Sequence, residues 1–410
     1  MCKTIFTGFG PNITDQDVRN AWSLSFTPWK WKKGNFVLEI ENWLKEYFES
    51  KFSFTFDSGR TALHYSLKAL GVGDGDEVLV QSYTCMVVSN AIVWTGAKPV
   101  YVDVENNFNM DADDLSKKIT QKTKVIIIQH TFGTPANLDG ITKIAKERNL
   151  KIIEDCAHSL GAKYNEKLLG NFGDIGMFSF GSDKVISCVR GGGLITNDDD
   201  IAKRLKDFQS RLPDSRLWKI KQHLLHIIFF PIGKKLYSIK VGKWFLGLTR
   251  KLNITASIIY QPEKKGKQVL FYPSLLPNAL AKILSNQIKN LKNFNTHRQK
   301  IAQLYNEKIT NTKIIKPVWN NDSIWLRYTI LVDNPNKLHR QAKKQNIILG
   351  TWYNSAIAPC DIDLEKSGYK PGDCPNAERL ASLSINLPTN KNITEADAEK
   401  IITLINKYGS

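Results

Sequence analysis

Over residues 53–198 the chain alternates short β-branched runs with stretches whose apolar residues recur every three or four positions. Residues 77–80, 99–102, 124–128 and 151–154 are brief and largely apolar, the pattern of strands covered on both faces. Residues 61–70, 89–95, 112–119 and 138–148 carry the helical spacing, and most end near glycine or asparagine, as helix stops do. This alternation predicts an α/β domain with a mostly parallel central sheet flanked by helices. After residue 198 the rhythm changes. Residues 199–212 read as a charged helix and 216–251 as a basic, aromatic insert. A long helical pattern follows over 275–309, then a strand over 324–332, a helix over 336–345 and a closing helix over 394–407. The expected organisation is an N-terminal arm and helix over 1–52, a large domain over 53–270 carrying the insert, and a smaller C-terminal α+β domain over 271–410.

Composition narrows the class. Of 410 residues, 42% are apolar and 23% charged, which excludes wholesale disorder and fibrous repeats. Six cysteines (Cys2, Cys85, Cys156, Cys188, Cys360, Cys374) form no CxxC pair and no metal-ligand spacing, so no metal is expected. Neither a signal peptide nor an apolar run long enough to span a bilayer is recognisable, and a reducing, cytoplasmic setting is the expectation. The formal charge of +18 would ordinarily suggest nucleic acid or an anionic membrane. Its distribution argues otherwise: residues 216–267 hold twelve Lys or Arg against one acid, Glu263. The basicity is local.

Four segments near the ends of predicted strands carry candidate chemistry. Asp57-Ser58-Gly59-Arg60 is a glycine turn opening a helix, where free N–H groups and the helix dipole suit a phosphate; alone it reads first as a plain loop-to-helix cap. Ile153–His158 places Asp155 at a strand's carboxyl end, where open α/β sheets bind ligands, though such an aspartate also serves as a helix cap. Residues 173–184 run from a strand through a serine-containing turn to Lys184. Residues 190–198 form a glycine run entering a further strand.

Taken together and in this order, these segments resemble the DegT/DnrJ/EryC1/StrS family of sugar aminotransferases, pyridoxal-phosphate enzymes of fold type I. The resemblance rests on Phe178-Ser179-Phe180 with Lys184, the following Gly191-Gly192 and Thr196-Asn197-Asp198, Glu154-Asp155 with Ala157-His158 and Gly161-Ala162, His130–Ala136, and Ala97–Asp103. It spans about residues 35–407. It implies that Lys184 joins pyridoxal 5′-phosphate covalently and then moves the substrate proton. Asp155 would pair with the protonated ring nitrogen, and His158 would reach the ring's phenolic oxygen. Ser58, Gly59 and Arg60 would bind the phosphate through the turn's backbone, and Ser179 through its hydroxyl. The implied reaction takes an amino group from an amino acid, glutamate, to a nucleotide-linked keto-sugar, in a homodimer. Two other readings are a dehydratase of the same family, whose members tend to replace the lysine with histidine, and a non-catalytic regulatory member.

Several positions depart from the family pattern. Arg60 replaces a small hydroxyl residue, so its guanidinium is expected either to contact the phosphate or to face a partner. Cys85 stands where many members place a ring-stacking aromatic; it is a cofactor-binding candidate, or a small buried hydrophobe with Tyr83 supplying the stacking. Arg190 stands where an acidic residue often precedes the glycines, and no cross-subunit loop is recognisable after Phe208. In the insert, Arg216, Lys219, His223 and His226 recur at helical spacing among apolar residues. That pattern suits a helical hairpin packed at an interface with a solvated basic rim, or an interfacial helix on the inner face of a membrane. Nucleic acid is not an expected partner, since no recognition module accompanies the charge.

Overall fold

The computed structural model describes residues 3–8, 10 and 12–409. Seven strands form the central sheet in the order Phe52–Phe56, Gly192–Thr196, Ile175–Ser179, Lys151–Asp155, Thr123–Gln129, Glu77–Gln81, Lys98–Val102. Six run one way; Gly192–Thr196 runs against them, antiparallel to both neighbours. The sheet is therefore mixed and mostly parallel, flanked by helices as the alternation predicts. The continuous apolar runs follow from burial on both faces. Along Thr123–Gln129, Val125 and Ile127 enter one core and Ile126 and Ile128 the other, each fully buried.

The helices Gly59–Ala69, Met86–Val93, Ala112–Lys118 and Leu138–Glu147 lie close to their predicted positions. The long pattern over 275–309 is instead two helices, Asn278–Ile288 and Leu291–Lys308, interrupted at Lys289 and Asn290. Leu280 and Leu284 of the first pack in the core that holds Ile40 and Leu44. Ile301 and Tyr305 of the second pack in a third core with Ile330, Ile385 and Ile401. That third core lies on a two-stranded antiparallel sheet, Arg327–Leu331 with Ser384–Pro388; the second of these strands is not among those expected above, although Ile385 and Leu387 alternate with polar residues.

The insert folds as two helices, Leu217–Lys235 and Val241–Lys251, which pack on each other. Leu217–Lys235 also packs on helix Asp15–Ser25, and Ile220, Leu224, Ile227 and Ile228 enter the first core. The packed hairpin keeps an exposed basic rim at Arg216, Lys221, Lys235, Lys240, Lys243 and Arg250, but Lys219, His223 and His226 depart from it and are buried. An interfacial membrane helix is not supported, because the apolar stripe of Leu217–Lys235 is already covered by protein. Exposed apolar residues remain on both helices, at Leu217, Trp218 and Ile232 of the first and at Val241, Trp244 and Leu248 of the second. Among the described residues no helix is long and apolar enough to cross a membrane. Cys85, Cys156, Cys188, Cys360 and Cys374 are free thiols; Cys2 lies outside the described residues.

Candidate active site

The carboxyl ends of the six parallel strands lie along one edge of the sheet. Each feeds a segment singled out above: Asp57–Arg60 follows Phe52–Phe56, Cys85 follows Glu77–Gln81, Asp155 ends its own strand, and Ser179 ends another. Gly192–Thr196 runs the opposite way, so its beginning, with Arg190 just before it, arrives at the same edge. One cavity there is lined by Ser58, Gly59, Arg60 and Cys85, by Asp155 and His158, and by Ser179, Lys184 and Arg190.

Close backbone approach explains two of the glycines. A Cβ on Gly59 would lie 2.8 Å from Ser179 Cβ and Oγ, and one on Gly192 only 2.4 Å from the Ser58 carbonyl oxygen. The turn is thereby pressed against Ser179 at the start of helix Gly59–Ala69. The Ser58 hydroxyl caps that helix, accepting from the Thr61 amide at 3.3 Å.

Lys184 lies in a loop held from two distant parts of the chain. The Asn12 amide donates to the carbonyl oxygens of Lys184 and Val185; Arg298 donates to Asn12 Oδ1 at 3.0 Å and to the Val185 carbonyl at 2.7 Å. Burial lowers the basicity of the Lys184 amine, opposed by the nearby Asp155 carboxylate. Burial in turn raises the Asp155 carboxyl, opposed by the Ala157 amide, which donates at 3.0 Å, and by Lys184. Burial, with Lys184 and Arg327 nearby, holds His158 well below the usual histidine range, so its ring is neutral. The Phe132 amide donates to His158 Nδ1 at 3.4 Å, which puts the ring proton on Nε2. Phe132 stacks on the imidazole at 5.7 Å and 9°, and Tyr353 at 6.2 Å and 24°.

The departures resolve in different ways. The Arg60 guanidinium pairs with the buried Glu263 and donates to the Ile258 carbonyl at 2.9 Å, so its donors are engaged within the chain. Tyr83 is fully buried outside the cavity, with its hydroxyl donating to Ser384 Oγ at 3.0 Å, and supplies no stacking surface. Cys85 does line the cavity, and burial pushes its thiol up.

The lining also includes Trp352 and Tyr353 from the C-terminal part, and residues not assigned to the site from the sequence: Arg327, the insert's His223 and His226, and residues 256–259 after the insert. Asn12 and Arg298 had no assigned role. Arg298 nevertheless left a signal, lying at helical spacing with the buried Phe294, Ile301 and Tyr305. A buried group elsewhere, His130, Glu154 and Cys156, has metal-ligand atoms within 4.8 Å of one another. Glu154 is already occupied by the amides of Gly170, Phe172 and Gly173 and by His130 Nε2, which makes it a strut between loops.

The model of the DegT/DnrJ/EryC1/StrS aminotransferase family matches residues 14–230 and 255–406. The chain belongs to that family. Among relatives, a GDP-perosamine synthase of Caulobacter vibrioides is 29% identical, over 93% of this chain and 92% of its own length. A dTDP-3-amino-3,6-dideoxy-alpha-D-galactopyranose transaminase of Aneurinibacillus thermoaerophilus is 28% identical, over 92% and 91%. The crystal structure of a DegT DnrJ EryC1 StrS aminotransferase from Brucella abortus superposes with a TM-score of 0.74 at 26% identity, covering 97% of this chain and 96% of that one. The stretch that the family model leaves unmatched, 231–254, contains the exposed helix Val241–Lys251; His223, His226 and residues 256–259, which line the cavity, fall inside the match.

Proposed function

We propose that this family member is a pyridoxal-phosphate-dependent aminotransferase that moves an amino group from an amino acid, glutamate, to a keto-sugar carried by a nucleotide. The observation that carries the reading is the convergence of Lys184, Asp155 and His158 with the Ser58–Gly59 turn and Ser179 in one cavity. Relatives named for GDP-linked and dTDP-linked sugars support the nucleotide-linked acceptor.

The residues fit the cofactor. The glycine turn is a phosphate cradle that a Cβ at residue 59 would fill, and a carboxylate and an amine of lowered basicity lie buried beside it. When bound, pyridoxal phosphate supplies a ring that accepts the electrons left on the substrate carbon as its proton is removed. Lys184 Nζ would hold the cofactor at its aldehyde carbon and would move the proton at the substrate's amine-bearing carbon. Its lowered basicity leaves the amine unprotonated more of the time. Asp155, fixed by the Ala157 amide, keeps a proton on the ring nitrogen. His158, with Nδ1 occupied by Phe132, offers its Nε2 proton to the phenolic oxygen, while Phe132 and Tyr353 hold the imidazole in place. Lys184 also favours transfer over dehydration, for which the family tends to use histidine.

Absorbance spectroscopy tests this reading. The protein should take up pyridoxal phosphate with a visible band that glutamate discharges, and Lys184→Ala should lose both properties. A protein that stays colourless with the cofactor overturns it. Amine transfer to a panel of nucleotide keto-sugars then identifies the acceptor, and light scattering tests the accompanying homodimer.

A further inference from the structure

The cavity contains one guanidinium, Arg190, and one imidazole, His223, kept neutral by burial with Arg190 and Lys219 nearby, that the chemistry above leaves unused. Arg190 is 8% exposed beside the Ser58–Gly59 turn, and its Nε and Nη2 have no hydrogen-bond partner. Its guanidinium lies over the Tyr272 ring at 4.6 Å and the Tyr260 ring at 5.9 Å, which fixes its plane and leaves an N–H edge unengaged. From the insert, His223 enters the same cavity, 6% exposed, and its Nε2 is also unpartnered. The surrounding side chains leave these particular nitrogens without a hydrogen bond. Arg60 takes Glu263. Lys219 donates to Gln222 and to the Tyr260 hydroxyl. Asp57, the acid nearest the turn, accepts from the Ser58 and Ser274 hydroxyls at 3.1 Å; burial pushes its carboxyl up and the Arg190 charge opposes that, yet Arg190 Nε and Nη2 still lack a hydrogen bond. A buried guanidinium with idle donors is costly unless an anion completes it.

We propose that Arg190 and His223 form an anion subsite for the phosphate of the bound cofactor, completing the cradle begun by the Ser58–Gly59 turn and Ser179. The inference rests on the cofactor reading above. A nucleotide's diphosphate shares the chemistry, but Arg190 lies two residues before Gly192, whose backbone presses on Ser58 and Gly59 at the start of helix Gly59–Ala69, and that favours the cofactor's phosphate. The planar fork of an arginine suits two phosphate oxygens at once. The helix Leu217–Lys235 then contributes to the site through His223 as well as to the core.

The test compares titrations of the apoprotein with pyridoxal phosphate and with pyridoxal, which lacks the phosphate. Arg190→Gln should weaken pyridoxal phosphate about tenfold or more and His223→Asn by roughly threefold to tenfold. Pyridoxal should bind both variants as it binds the wild type, and Arg190→Lys should recover part of the loss. Equal losses for both compounds, or no loss for either, overturn the proposal. So does weakened binding of GDP or dTDP with the cofactor spared, which would give the subsite to the substrate. If Arg190→Gln does not fold, as judged by circular dichroism of the apoprotein, the His223→Asn pair of titrations decides. A wild type that binds neither compound defeats the function reading itself, a result distinct from a wild type that binds both equally.

Discussion

The strand-end segments and the helix Leu217–Lys235 line one cavity but hold their polar groups by different means. At the strand ends the backbone positions them: Ser58 caps a helix, the Ala157 amide fixes Asp155, the Phe132 amide fixes His158, and Asn12 fixes the carbonyl of Lys184. In the helix, His223 and His226 are held chiefly by packing, and each has a ring nitrogen without a partner. Chemistry and stability are thus unevenly shared. Substitutions at the strand ends should reach the reaction with little effect on folding, and substitutions of the insert's core-facing apolar residues should do the reverse.

The largest separation is expected for Asp155→Asn. Losing the charge opposite the ring nitrogen should lower kcat about 10²–10³-fold, while unfolding free energy changes by less than about 1 kcal/mol. Steady-state kinetics beside urea unfolding checks both, and a large stability loss would blur the distinction. Next comes Glu263→Ala, at the seam where Arg60 of one region meets the chain just after the insert. It strands a buried guanidinium and should cost about 3–5 kcal/mol in urea unfolding. Leu224→Ala removes an apolar group from the first core and should cost about 2–5 kcal/mol. The folded fraction should keep its cofactor absorbance, and lost absorbance without lost stability would break the comparison from the other side.

The smallest effect concerns pH. Burial holds His226 at about 4, whereas an unfolded chain protonates near the ordinary 6.5. Between those values the unfolded state binds the extra proton, so stability should fall as pH drops from about 6.5 to about 4. His226→Gln should flatten that slope in thermal unfolding measured across the range.

How much of this was legible follows the same division. Strand runs such as 124–128 were readable because burial on both faces leaves continuous β-branched residues. The motif residues were readable because short local segments carry them to a single sheet edge. What local pattern could not supply was direction. Nothing in residues 190–198 says that this strand runs against its neighbours, and that reversal is what brings Arg190 to the cavity. In the insert, lysine and histidine at helical spacing read as a wet face, whereas Lys219, His223 and His226 lie inside because other elements cover them. Arg60 looked like a phosphate or partner contact until Glu263, some two hundred residues later, was seen to claim it.

The clasp on Lys184 has a consequence for how the protein is made. A ribosome that has delivered residues 1–200 has released all seven strands of the central sheet and every motif residue, yet Arg298 is still unmade. Asn12 and Arg298 lie 286 positions apart, and only after both are present can the lysine-bearing loop be tied down as described. Contacts this distant in sequence form late because a long loop must close first. The nascent chain can therefore assemble its sheet early, while the lysine loop gains its final support only after the helix Leu291–Lys308 has docked.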